Sequence, residues 1–331
     1  MTPVFPKQFW FWLRFSVTAF AALAIFNYPR TWWQEIVCAT SLLWSAVMLL
    51  SICVAMVRIR RISWTVSRII LVTLQAVCVA RTGQIVIPFL YAKPKTYPHL
   101  VYSSPIRFLF IDISERTGNA HRDALKAFVD VEDPSLIVVT RFADSPIFNA
   151  VSDRFPARYL SHTSNGRVVE ILSKLEPLGS TRLDYGYAAL PAVEGEFLTT
   201  EGIPFFLGAF DLLPPYTQQD FLRSRLTSRR LASFLKFENT PRLVFGAFRT
   251  SVTSQIVDMY PGQLRLRALS FNSGISIVPD LVRQSVRFDK ALHVFTARRI
   301  DVSRVVQSQA DDGGFSSVLF DARIPKEIVS R

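Results

Sequence analysis

Between Ile36 and Val57 the chain runs for 22 residues without a charged side chain. A helix needs about 20 predominantly apolar residues to cross the hydrocarbon core of a bilayer, so this segment is read as a membrane span. Two neighbouring stretches have the same character. Phe9 to Asn27 is interrupted only by Arg14, and Ile69 to Tyr91 is broken by Arg81, Gly83 and Gln84. A cleaved signal peptide does not suit the first stretch, because another long apolar segment follows it instead of a polar mature chain. Residues 1–91 are therefore expected to form a membrane domain of three transmembrane helices. Arg14 lies near one end and can reach the headgroups. Arg81 lies deeper, where it is expected to face neighbouring helices.

Charge sets the orientation. Residues 1–92 hold eight Lys and Arg against one acid, Glu35, leaving 30 basic and 25 acidic residues of 38 and 26 in all. Much of the net charge of +12 thus belongs to the apolar N-terminal part, which argues for membrane topology and against nucleic acid as a partner. Arg58, Arg60, Arg61 and Arg68 cluster between the second and third spans, so residues 58–68 are placed in the cytoplasm. The N-terminus is then cytoplasmic too, and three spans carry everything after Tyr91 to the extracytoplasmic (periplasmic) face of an inner, cytoplasmic membrane. All six tryptophans (Trp10, Trp12, Trp32, Trp33, Trp44 and Trp64) fall in the membrane part, as interfacial anchoring requires. Cys38, Cys53 and Cys78 all sit in spans, so no disulfide framework is available to the exported part.

Residues 92–105 contain three prolines and read as a linker. Residues 106–331 are long enough for one α/β domain. Short runs rich in β-branched and aromatic residues predict strands at 106–112, 136–140, 168–173, 182–190, 194–199, 204–212, 242–248, 291–297 and 317–322. Helical periodicity covers 120–131 and 217–237. No Gly-rich nucleotide loop and no zinc spacing is present.

The order of these segments resembles the endonuclease/exonuclease/phosphatase family, in particular bacterial members with N-terminal membrane spans. The resemblance runs through IRFLFIDIS from 106, DPSLIVVTRF at 133–142, ILSKLEPL at 171–178, GAFDLLPP at 208–215, FGAFRT at 245–250 and ALHVFT at 291–296. It ends in DDGGFSSVLFD at 311–321 and covers essentially all of 106–324. It implies a four-layer α/β sandwich, two packed mixed sheets flanked by helices. It also implies divalent-metal phosphoester cleavage in which carboxylates hold the ion and a His–Asp pair activates water.

Position by position, that chemistry is missing. The first-strand Asn is Asp112 and the metal-site Glu is Arg141. The middle-strand His is Asp211, and the Asp and Asn of the G-D-F-N motif are Ala247 and Arg249. The retained His293 is preceded by Leu292, with Asp289 as a shifted alternative. The terminal Asp–His pair falls near Gly314 and Phe315, downstream of Asp311 and Asp312. A fixed charge in a metal's place repels a dication strongly: two unit charges about 4 Å apart interact at roughly 4 kcal/mol at an effective dielectric near 20. Arg141 is therefore expected to replace the metal and pair with Asp112, and Arg249 to pair with Asp211 or Asp112.

Three readings stand open. The first is an inactive phosphoesterase-like domain, tethered to the membrane as a scaffold or interaction subunit of an envelope complex, without a cofactor. The second is a Mg-dependent phosphodiesterase, nuclease or phosphatase with ligands rearranged among Asp112, Asp211, Asp289, Asp311, Asp312 and His293. The third is a non-hydrolytic phosphate-ligand binder using Arg141, Arg249 and His293. The expected partners are membrane lipids along residues 9–91 and proteins of the membrane or envelope. His99, His121 and His162 read as solvated, and the basic face of 225–236 as a solvated helix surface.

Overall fold

A computed structural model describes residues 7–26, 30–57, 65–90, 99–113, 119–142, 151, 153–162, 166–178, 190–236, 240–250, 254, 256–257, 260, 267–268, 292–297, 299–309 and 315–326. Among the described residues the N-terminal part forms four helices: α1 (Lys7–Phe26), α2 (Trp32–Ala39), α3 (Ser41–Val57) and α4 (Val66–Leu90). Two helices, over Gln8–Phe26 and Val66–Val86, are long and apolar enough to cross a membrane.

The expected second span is not one rod. It breaks at Thr40 into α2 and α3, which are bent by 61°. Thr40 directs its hydroxyl to the Ile36 carbonyl at 2.8 Å, and such side-chain competition for helical carbonyls accompanies bends. Alone, α3 is 17 residues long, at the lower limit of the 17–25 that suit a span. The helices pack through Ala21, Ala24, Ile25, Val37, Cys38, Met48 and Cys78.

The remainder folds around two sheets. The first has the order β10-β11-β1-β2-β4-β3 and the second β5-β6-β7-β9-β8. The strands are β1 (Ile106–Ile113), β2 (Leu136–Phe142), β3 (Ala157–His162), β4 (Arg167–Ser173), β5 (Ala192–Leu198), β6 (Pro204–Asp211), β7 (Arg242–Ala247), β8 (Arg267–Ala268), β9 (Leu292–Thr296), β10 (Asp301–Gln309) and β11 (Ser316–Arg323). Each sheet is antiparallel except for one pair, β1 with β2 and β6 with β7. A parallel pair needs a crossover, which a helix best provides. Helix α5 (Asn119–Glu132) joins the first pair and α6 (Gln218–Lys236) the second. The predicted strand at 182–190 lies almost wholly outside the described residues, whereas β3, β8 and β10 were not predicted.

The period-2 alternation of the strands sorts their side chains. Phe108, Phe110, Leu136, Val138, Leu207, Ala209, Phe245 and Val294 face inward and form the core between the sheets. Leu109, Ile111, Ile137, Val139 and Leu172 face outward with Leu125 and Val129 of α5. Phe206, Phe210, Val244 and Phe295 face the other way, with Phe221 and Leu231 of α6. The result is the expected four layers. The end of the predicted linker belongs to the domain: Ser103 N–H donates to the Ile324 carbonyl at 2.8 Å, and Tyr102 bridges to Pro325.

Candidate functional site

The two βαβ units bring corresponding strand ends together between the sheets. Asp112 ends β1 beside Thr140 of β2, and Asp211 ends β6 beside Ala247 of β7. Both aspartates carry on the inward parity of their strands, and both are buried. Arg249, just beyond β7, lies between them. Its Nη1 and Nη2 donate to the two oxygens of Asp112 at 2.8 and 2.6 Å. Its Nε donates to Asp211 Oδ1 at 3.1 Å. The other Asp211 oxygen accepts from Arg167 at the start of β4. The Thr140 hydroxyl donates to Asp112.

Two opposed effects act on the Arg249 guanidinium. Burial works against its charge, while Asp112 and Asp211 favour it and hold its pKa above the ordinary arginine value. The backbone there has φ 54°, the left-handed region that costs a residue with a Cβ of order 1–3 kcal/mol. Three charge-assisted hydrogen bonds to two buried carboxylates offset that cost.

Arg141 is not part of this cluster. The β1–β2 register sets Asp112 opposite Thr140 and Arg141 opposite Ile113. Alternation therefore turns Arg141 to the outer face of its sheet, and Thr140 reaches Asp112 in its stead. Arg141 donates to Glu170 Oε2 through Nη2 at 3.0 Å and Nε at 3.3 Å. Glu170 on β4 also accepts from Arg158 on β3. Thus the expected Arg141–Asp112 pair is replaced by an Arg141–Glu170–Arg158 row across three strands, and the expected Arg249 pair forms with both aspartates.

His293 is also elsewhere. It has the outward parity of β9 and packs edge-on against Phe248, ring centroids 5.2 Å apart. Its Nε2 lies 3.1 Å from the Thr250 carbonyl; a carbonyl can only accept, so Nε2 carries the proton. Burial pulls its pKa down to about 4, against the opposing pull of the Thr250 hydrogen bond. Opposite it stands Gly246, where a Cβ would meet the Phe248 and Phe210 rings at 2.5 and 2.6 Å. Close aromatic packing excludes a side chain at that position. A ligand site shared by Arg141, Arg249 and His293 does not form, since the three occupy separate places. Asp289, Asp311, Asp312 and Gly314 lie outside the described residues, and Phe315 packs against the outer core of the first sheet.

One partner of this region was not foreseen. Glu35 of α2 is fully buried, and its Oε1 accepts from Thr250 Oγ1 at 3.2 Å and from the Ser254 hydroxyl. The segment following Arg249 thus meets His293 through a carbonyl and helix α2 through hydroxyls. The available signal was a lone acid at the edge of the apolar run that starts at Ile36, and it names no partner. Arg167 and Glu170 carried a weaker one, as charged residues at the start and in the middle of a largely apolar strand.

The fold is similar to that of an endonuclease/exonuclease/phosphatase from Beutenbergia cavernae DSM 12333, with TM-score 0.52 and 14% identity over 67% of this chain and 72% of that one. An endonuclease/exonuclease/phosphatase from Bacteroides vulgatus gives TM-score 0.51 and 10% identity, over 67% of this chain and 100% of that one. No family model matches the sequence, nor does any curated protein. At these identities the likeness is one of fold. Among the described residues, the donor set does not suit the metal that the family resemblance implies. Asp112 and Asp211 are already engaged by guanidinium groups, and among the described residues no three His, Cys, Asp or Glu form a group able to hold an ion.

Proposed function

We propose that this chain is a membrane-anchored protein of endonuclease/exonuclease/phosphatase fold in which Arg249 stands in for the divalent cation. On this reading it acts by binding, as a scaffold or interaction subunit of an envelope complex, and does not cleave phosphoesters. The observation that carries the reading is the three-bond grip of Arg249 on Asp112 and Asp211. A guanidinium is permanently charged and shaped to hold carboxylates bidentately, so Arg249 together with Arg167 balances the charge of this carboxylate pair without any ion from solution.

The anchoring part rests on the apolar helices and on the basic residues at 58–68. It places the N-terminus in the cytoplasm and the domain on the extracytoplasmic face. The contact between α2 and the domain supports this arrangement. Three spans leave residues 27–35 and the domain on the same side, and the side chain of Gln218 bonds to the backbone of Arg30 and Trp32.

The test is metal-dependent turnover of a generic phosphodiester, with Mn²⁺ or Mg²⁺, by the full chain in detergent. No turnover is expected, and no shift of the unfolding temperature on adding the ion. Arg249→Asn strips Asp112 of its guanidinium and leaves Asp211 with Arg167 alone, and in that variant Mn²⁺ is expected to raise the unfolding temperature. Turnover by the unaltered chain that disappears in Asp112→Asn would overturn the proposal.

A further inference from the structure

Helix α6 carries an outer strip that the domain does not cover. Phe221, Ser224, Thr227, Ser228, Leu231 and Ala232 face the sheet. On the opposite side Leu222 and Leu226 are 48% and 42% exposed, and Tyr216, just ahead of the helix, is 55% exposed. Arg229 is exposed beside them, and Arg223 and Arg230 are half-buried along the flank. The helix holds five basic residues and one acid, Asp220. That acid sits on the far edge and accepts from the Thr217 hydroxyl at 2.7 Å.

The position of this strip is fixed by α2. Helical spacing puts Gln218, Leu222, Arg225 and Arg229 on one line. Gln218 bonds to the backbone of Arg30 and Trp32 at 3.3 and 3.1 Å, and the charge of Arg225 acts on Glu35. Helix α2 therefore meets the edge from which the strip begins. In turn, α2 is held to the end of α1: Trp33 stacks on Phe20 with centroids 4.7 Å apart, and Cys38 Sγ donates to the Ala24 carbonyl at 3.0 Å. With α1 spanning, its last turn and the tryptophans after it lie at headgroup level. The 61° bend then turns α2 away from the direction of α3 and toward the plane of the interface.

We infer that the strip of Tyr216, Leu222 and Leu226, with Arg223, Arg229 and Arg230 around it, rests on the anionic surface of the same bilayer. The inference depends on the anchoring reading above. An apolar strip bordered by arginines is the composition of an interfacial helix, and each basic group near an anionic surface contributes attraction. The domain is thereby seated on the membrane and not suspended from it.

The experiment uses the full chain, with Cys53→Ala, in nanodiscs of phosphatidylcholine alone or with phosphatidylglycerol. Nitroxides are placed singly at L222C, L226C, L50C and V131C. Val131, 80% exposed, ends α5 on the opposite outer layer and serves as the water-exposed reference. In anionic discs the labels at 222 and 226 are expected to lose collisions with a water-soluble nickel chelate and gain them with oxygen, while 131 does not. Adding R223E, R229E and R230E together is expected to return position 222 to the level of 131. Chelate collisions at 222 and 226 equal to those at 131 in both lipids would overturn the inference. Equal shielding in both lipids would overturn its anionic part. A label at 50 open to the chelate would overturn the anchoring itself, and this inference with it.

Discussion

Two buried ion-pair sites lie on opposite faces of the first sheet, and they are built differently. The inner one joins the sheets: Asp112, Asp211 and Arg249 come from three strand ends, and all are at most 3% exposed. The outer one stays within one sheet. Glu170 faces Val139 and Leu160 in register, so Arg141 and Arg158 reach it diagonally from the neighbouring strands, the geometry that lets long side chains meet. Arg158 is 44% exposed, so this site opens to water at the sheet edge. The difference teaches where an arginine is replaceable. At the inner site the Arg249 guanidinium is shared by two carboxylates, with Arg167 adding a second arginine to Asp211 only, whereas at the outer site two guanidinium groups serve a single carboxylate.

The comparison breaks most sharply at Arg249. Arg249→Ala leaves Asp112 with only a hydroxyl partner and takes one of the two arginines from Asp211. Removing one member of a buried pair costs about 3–5 kcal/mol, and urea unfolding of the full chain in detergent is expected to register a loss of that order. Next in size is a pH effect at His293. The folded protein keeps this histidine neutral down to about pH 4, while an unfolded histidine takes up a proton below its ordinary value of 6.5. Below 6.5 the unfolded state binds more protons, so the contribution is complete above that pH and falls away toward 4. A shift of this size corresponds to about 3 kcal/mol. His293→Asn is expected to flatten that part of the pH–stability profile relative to the unaltered chain, whatever the carboxylates add to both.

The same comparison explains what was legible in the sequence. Strand positions follow from β-branched and aromatic runs, and eight of the described strands could be placed from them. Motif spacing put Arg249 beside the aspartates, as observed, but it misplaced Arg141, because spacing counts residues while a strand alternates faces. Aligning the lost glutamate with Arg141 was a choice of one residue, and one residue decides the face. The pattern Leu136, Val138, Thr140 against Ile137, Val139, Arg141 contained the answer. Glu35 was out of reach for another reason. Its partners Thr250 and Ser254 are more than 200 positions away, and nothing local announces a hydrogen bond across that distance. The break at Thr40 was equally hidden, since apolar composition measures length and not straightness.

The outer site gives the smaller effects. Arg141→Ala is expected to cost about 1–2 kcal/mol, less than Arg249→Ala, because Arg158 still faces the buried Glu170 carboxylate. Arg158→Ala alone is expected to cost about 0.2–1 kcal/mol, as for other half-exposed pairs. Introduced after Arg141→Ala, however, it removes the last counter-charge from a fully buried carboxylate, and its cost is expected to rise to that of Arg249→Ala. A double-mutant cycle read by urea unfolding measures this coupling directly. Additive losses would mean that Glu170 does not depend on the two arginines as alternatives, and the contrast between a shared and a doubled guanidinium would no longer hold.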